Sequence, residues 1–154
     1  TRIISIDPRP RKHIDRICDE IIRKPVEDVD LAVFDQLSAG DILFIDSSHR
    51  CFMNSDVTVI FMDVLPRLKS GVLVHFHDIF LPDDYPPGWR KRYYSEQYLL
   101  GAYLLSNGSL FDVLLPNAFI TKEPALFRII EPVFNKPEMQ GVPRGGGSFW
   151  IKIR

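Results

Sequence analysis

Cysteine is scarce in this sequence: Cys18 and Cys51 are the two thiols, and neither sits in a C-x-x-C pair. That excludes a disulfide framework and fits a reducing, cytoplasmic setting. Charge of one sign is lacking as well. Nineteen basic against twenty acidic residues leave a formal net charge of -1. No strong pull toward nucleic acid or an anionic membrane follows from that balance. Arg9, Arg11 and Lys12 form one small basic cluster and Arg90, Lys91 and Arg92 another; both read as solvated faces. No apolar run approaches the roughly 18 residues a membrane helix needs. No signal-peptide pattern is visible, although the chain opens at Thr1 rather than Met, so this last absence carries little weight. Internal repeats and low-complexity tracts are missing too. Gly145-Gly146-Gly147 lacks the G-x-x-x-x-G-K-[ST] pattern and a following helix, so it reads as a pliable connection rather than a phosphate loop.

What remains is an ordinary globular composition, with 45% hydrophobic and 25% charged residues in 154 positions. That length suggests one domain that buries roughly 70% of its unfolded surface. Ile3 to Ile6 is β-branched and apolar on both faces, as in a buried parallel strand. Ile14, Ile17 and Ile21 recur at helical spacing, which predicts a helix from Pro10 to Glu20, with Ile21-Ile22-Arg23 as an alternative strand start. Asp30 is a candidate cap for a helix to about Leu37. Asp41 to Asp46 is the next strand. Ser55 is positioned to cap a helix with Val57, Ile60, Phe61, Val64, Leu65 and Leu68 on one face, and Gly71 ends it. Gly71 to Phe76 is a third buried strand, Tyr93 to Leu105 a helix, Phe111 to Leu115 a strand, Ala125 to Phe134 a short helical segment, and Ser148 to Ile153 a closing strand. Strands alternating with helices imply parallel pairing.

In an open parallel sheet, ligands bind beyond the carboxyl ends of the strands. Three successive predicted strands end in carboxylates: Asp7, Asp46 and, one residue past His77, Asp78. Asp7 is placed either to accept both hydroxyls of a ribose or merely to cap the following turn. Asp46 and His49 form a D-x-x-H pair. With Asp78 they offer two carboxylates and an imidazole, suited to a divalent cation or to a general base, or else to nothing more than loop capping. His75 and His77 lie on one face of their strand, as at some metal-hydrolase sites, although a buried, backbone-bonded histidine is commoner. The proline- and aromatic-rich stretch from Phe80 to Trp89 follows a strand end, where a lid is expected.

Three segments together resemble class I S-adenosylmethionine-dependent methyltransferases, and bacterial members in particular: Ile4-Ser5-Ile6-Asp7-Pro8, the run from Gly40 to His49 containing Asp46-Ser47-Ser48-His49, and Leu65 to Ile79 ending in His75-Phe76-His77-Asp78. The resemblance spans nearly the whole chain. It implies a single, partial methyltransferase-like domain over residues 1–154. The implied fold is a Rossmann-like, mostly parallel sheet with helices on both faces, lacking the family's first strand and ending in an antiparallel strand. It implies Asp7, Asp28 and Asp46 as contacts to S-adenosylmethionine, with Asp7 on the ribose and Asp28 near the adenine. It also implies His49 as general base, and Asp46, Asp78 and His77 around a divalent ion such as magnesium. Ser70-Gly71 stands where Pro-Gly is usual.

The departure that matters is at the front. The family opens with a strand and an acid-x-G-x-G turn at the sheet centre, and nothing before Ile3 supplies them. Each buried backbone group left unpaired costs about 1–3 kcal/mol. The expectation is therefore that upstream residues supply the strand, that the two flanking strands close up, or that they pair with another chain in a homo-oligomer. The expected reaction is O-methyl transfer to a small-molecule or sugar hydroxyl, with the Phe80–Trp89 segment, including Tyr85 and Trp89, covering the acceptor. Two other readings stay open: a metal-dependent hydrolase built on Asp46, His49, His75, His77 and Asp78, and a non-catalytic scaffold.

Overall fold

A computed structural model describes residues 1–11, 13–106 and 110–154; Lys12 of the first basic cluster lies outside them. Ile4–Ile6 (β1) and Glu20–Ile22 (β2) form a parallel pair in which Ile4 faces Glu20 and Ile6 faces Ile22. The helix expected from Pro10 to Glu20 is not there. Among the described residues a single 3₁₀ turn, Ile14–Arg16, lies between the strands, and His13 before it has a φ of 88°. Pairing of Glu20–Ile22 with β1 takes the residues that would have made the last helical turn, so the alternative strand reading holds. Asp30 does cap the next segment: its carboxylate accepts from the Ala32 amide at 2.9 Å, and Leu31–Gln36 winds as a 3₁₀ helix.

The second sheet holds Ile42–Ile45 (β3), Leu73–Phe76 (β4), Phe111–Pro116 (β5) and Phe149–Ile153 (β6) in the order β3-β4-β6-β5. β3 and β4 run parallel, with Phe44 opposite His75. β6 is antiparallel to both β4 and β5. The right-hand neighbour of β3 in sequence is Asp56–Val59 (α1). Ser55 caps it by accepting from the Thr58 amide, and the helix runs on as a π turn, Ile60–Val64, and a 3₁₀ turn, Leu65–Arg67. Pro66 has no amide to continue an α ladder, which accounts for the change of winding. Gly71 then turns the chain at φ 87°, where a Cβ would stand 2.6 Å from the Ala39 Cβ. The remaining helices are Glu96–Leu105 (α2), Asn117–Ile120 (α3) and Pro124–Phe134 (α4).

The core lies between α1 with its continuation and one face of the larger sheet. Val57, Ile60, Phe61, Val64 and Leu65 meet Ile45, Val74, Phe76, Phe149, Ile151 and Ile153, all buried. Alternation along β3 and β4 puts Phe44 and His75 on the other face. That face is open at β3: Ile42 is 54% and Phe44 59% exposed. Among the described residues the fold is thus a mixed α/β arrangement of two sheets, one parallel and one mixed, with no closed barrel. Two expectations need correction. The sheet is not mostly parallel, because β6 pairs antiparallel on both of its sides. β3 is not buried on both faces, because β4 is its one partner among the described residues and the Phe44 side lacks a covering layer. Of the three alternatives for the strands that flank the family's first strand, closing up is the one not seen: β1 and β3 lie in separate sheets. The antiparallel closing strand is as expected. Among the described residues no helix is long and apolar enough to cross a membrane.

Candidate active site

β3 delivers Asp46 at its carboxyl end and β4 delivers His77 and Asp78 at its own. The loop after Asp46 folds back through local polar bonds. The Ser48 amide and hydroxyl both donate to the Asp56 carboxylate at 2.6 Å, and the His49 amide donates to the Ser47 hydroxyl at 2.9 Å. His49 and Asp78 both adopt a φ of 57°. Such left-handed backbone in non-glycine residues persists where surrounding contacts enforce it, as functional sites often do.

These turns bring four anticipated residues together. His49 is 4% exposed, and its Nε2 stands 3.6 Å from Asp46 Oδ1 and 3.8 Å from Asp78 Oδ2. His77 Nδ1 lies 3.6 Å from the same Asp46 oxygen and 3.3 Å from Asp78 Oδ1. Asp46, His49 and His77 each offer one donor atom within 4.8 Å of the others. The separations from His49 Nε2 exceed hydrogen-bond length. His49 Nε2 is thus not hydrogen-bonded directly to either carboxylate.

Sequence reasoning missed the residue that grips His49 from behind. Glu96, the first residue of α2, is fully buried, and its Oε2 lies 2.7 Å from His49 Nδ1. The Ser47 hydroxyl donates to the same oxygen at 2.9 Å. The backbone is tied as well, since the Ser95 and Glu96 amides donate to the His49 carbonyl at 2.7 and 3.1 Å. Thus the open amides at the start of α2 are satisfied by the very residue that its first side chain holds. The Tyr94 ring lies against the imidazole, centroids 4.6 Å apart. Burial works against the charged form of His49. The hydrogen bond to Glu96, its charge, and those of Asp78 and Asp46 outweigh burial, and the His49 pKa lies above its ordinary value.

Gln97, the next residue of α2 and also fully buried, holds the proline- and aromatic-rich segment. Its side chain accepts from the Phe80 amide at 3.0 Å and donates to the Asp83 carbonyl at 3.3 Å, and its amide donates to the Tyr85 hydroxyl at 3.1 Å. Tyr85 and Trp89 pack on each other and on Tyr94, with the Arg92 guanidinium 4.1 Å above the Trp89 ring.

Gly145-Gly146-Gly147 is more than a pliable connection. A Cβ on Gly147 would come within 2.7 Å of the Asp78 Cα, and the Ile79 amide donates to the Gly147 carbonyl at 2.8 Å. Gly147→Ala should therefore push on the backbone that aims Asp78. The expected loss is about 1–3 kcal/mol of stability, read as a lower urea midpoint.

The other anticipated residues stand apart from this cluster. Asp7 directly follows β1, and its Oδ1 accepts from the Arg9 amide at 2.7 Å. Asp28 ends a 3₁₀ turn, Val26–Asp28, and is exposed. His75 is buried, shares a 2.7 Å hydrogen bond with the Ser148 hydroxyl and packs on Phe44 and Trp150. Burial, and then the neighbouring His77, hold its pKa below the ordinary value. His75 and Asp78 are both absent from the donor cluster, and the five-residue hydrolase site anticipated from the sequence loses two of its members as ligands.

A family model described as a methyltransferase domain matches residues 1–79. The chain belongs to this methyltransferase family. The class I S-adenosylmethionine-dependent fold is the usual one for it. No curated protein and no solved structure matches the chain. The matched span of the methyltransferase includes Asp7, Asp46, His49, His77 and Asp78 and stops at Ile79. Tyr94 and Glu96 lie beyond it. The residue in closest polar contact with His49 therefore comes from the part of the methyltransferase that carries no family match.

Proposed function

We propose that this methyltransferase moves the methyl group of S-adenosylmethionine to a hydroxyl of a small molecule or sugar, with His49 as the base. The observation that carries the reading is a convergence of acceptors. His49 Nε2 lies 3.6 Å from Asp46 Oδ1 and 3.8 Å from Asp78 Oδ2 at the strand ends. Three acceptors so placed favour a ligand that brings protons, and an acceptor with neighbouring hydroxyls does so.

S-adenosylmethionine supplies a methyl group on a sulfonium, ready for in-line attack. Everything else falls to the chain. Asp46 and Asp78 accept hydrogen bonds from the acceptor and orient it. His49 Nε2 takes the proton of the reacting hydroxyl as the oxygen–methyl bond forms and the sulfur–methyl bond breaks. Such a base contributes roughly 10²–10⁴-fold, with positioning on the sheet rim supplying the rest. The products are a methyl ether, S-adenosylhomocysteine and a protonated His49.

For the cofactor, Asp7 is the residue that fits best. One oxygen is engaged by the Arg9 amide and the other carries no hydrogen bond among the described residues, so it is available to a ribose hydroxyl. Asp28 and Asp46 complete the proposed contacts. The two sheets are read here as flanking parts of one Rossmann-like sheet. Magnesium fits poorly. It asks for near-octahedral oxygen ligands, whereas two of the three clustered donors are imidazoles. No step is drawn through it. A purely structural scaffold is a weaker reading, because burying the Glu96 carboxylate costs several kcal/mol that a scaffold has no use for.

The test uses the full-length natural protein with methyl-labelled S-adenosylmethionine and a panel of polyols, sugars and phenols. Label appearing in a methyl ether, with matching release of S-adenosylhomocysteine, supports the reading. Asp7→Asn should weaken donor binding about tenfold, near 1.4 kcal/mol, with kcat unchanged. Failure of every hydroxyl acceptor while label moves to nitrogen or carbon would remove the O-methyl assignment.

A further inference from the structure

We infer that Glu96 is a positioning residue: it fixes His49 as the tautomer protonated on Nδ1, so that the bare Nε2 faces Asp46, Asp78 and the acceptor. The inference rests on the methyl-transfer reading for its consequence but not for its geometry. An imidazole has two edges, and a base must present the right one. Here the edge is decided by a single contact of 2.7 Å between Nδ1 and Glu96 Oε2. Oε2 acts as an acceptor here, since it also takes the Ser47 hydroxyl, so the proton between the two belongs on Nδ1.

Three further observations make Glu96 specific to this role. It is fully buried, a costly setting for a carboxylate without a cationic or strongly donating partner. Its other oxygen, Oε1, has no partner among the described residues. All its polar contact therefore passes through Oε2, to His49 and the Ser47 hydroxyl. Ser47 also accepts from the His49 amide, closing a small ring of bonds around the imidazole and its own backbone. Finally, among the described residues Glu96 is the one group hydrogen-bonded to His49 Nδ1. The groups facing its outer edge are Asp46, Asp78 and His77, with Tyr94 against its face. The same arrangement, a buried carboxylate behind an imidazole whose far nitrogen does the work, is the orienting principle of hydrolytic triads.

Ser47 Oγ and His49 Nδ1 share Oε2, so a Gln carbonyl placed there keeps both bonds and is no test. Glu96→Leu keeps most of the size and removes the acceptor. Nothing then holds the proton on Nδ1, Asp46 and Asp78 draw it to Nε2, and the base faces the wrong way. Nitrogen-15 NMR of imidazole-labelled full-length protein, at alkaline pH, reads the tautomer directly. Expected are a protonated Nδ1 in the wild type and a protonated Nε2 in Glu96→Leu. Turnover in Glu96→Leu should fall roughly 10²–10³-fold with the donor KM unchanged, and Glu96→Asp should recover part of it. A wild-type spectrum with the proton on Nε2 overturns the inference even if Glu96→Leu fails to fold. So does a Glu96→Leu protein whose tautomer or turnover matches wild type. If no methyl transfer is found at all, the methyl-transfer reading falls, while the two spectra still decide the role of Glu96.

Discussion

His49→Asn should lower kcat by roughly 10²–10⁴-fold and leave binding of S-adenosylhomocysteine unchanged. Asn is the informative substitution here, for two physical reasons. His49 has a φ of 57°, a region that Asn tolerates better than most residues. Its amide nitrogen also sits near the former Nδ1 and can still donate to Glu96. Ala does neither. It would leave Glu96 buried without its partner, a defect that costs about 3–5 kcal/mol when a buried pair is broken, and lost activity could then be lost fold. Steady-state turnover with calorimetry on the same preparation checks both halves of the prediction.

The pH dependence gives the same residue a second test. Burial opposes its charge, but Glu96, Asp78 and Asp46 prevail and raise its pKa. A base must be neutral, so kcat/KM should rise with pH and its acid limb should fall above the ordinary histidine value. Stability runs the other way. The contribution from protonating His49 is fully present below the unfolded pKa and is lost as pH rises through the higher folded one. The protein thus gains activity over the window in which it gives up that stabilisation, and His49→Asn should abolish both trends. A wild-type profile flat across this window would exclude His49 as the base.

Phe61→Ala is expected to be the most damaging core change, at about 3–5 kcal/mol. Phe61 is fully buried in the π turn that continues α1. Its ring lies 5.4 Å from Phe76 of β4 and 5.4 Å, edge-on, from Tyr103 of α2. The Tyr103 hydroxyl also donates to the Phe61 carbonyl at 2.9 Å. One ring therefore ties the helix to the strand that carries His77 and Asp78 and to the helix that carries Glu96. A domain is stable by about 5–15 kcal/mol in total, so the loss is a large share, visible as a lower denaturant midpoint. Phe61→Leu should recover most of it, because it returns most of the buried volume.

Much of the site was legible because its residues sit at element ends with local causes. Asp30 and Ser55 cap the segments they precede, and Asp46, His77 and Asp78 follow strands that the apolar runs mark clearly. Two kinds of information were not local. The failed helix between Pro10 and Glu20 had the right apolar spacing, but strand pairing with β1 outweighed it. The openness of β3 depends on which strand and layer neighbour it, and Ile42 and Phe44 carry no mark of that in themselves. Glu96 was hidden for a third reason. An acid at the start of a helix is ordinary favourable placement against the helix dipole, and its partner lies 47 positions away in sequence. The signal available was Ser95-Glu96-Gln97 opening a helix directly after a segment expected to cover the site. Gly147 was readable only as flexible, since the need for a missing Cβ arises from the approach of Asp78.

A crystal structure of the full-length protein with S-adenosylhomocysteine bound decides whether these residues form one site. The ribose is expected on the Asp7 carboxylate and the sulfur facing His49 Nε2. Density for the nucleoside elsewhere, with the sulfur remote from His49, Asp46 and Asp78, would contradict this arrangement.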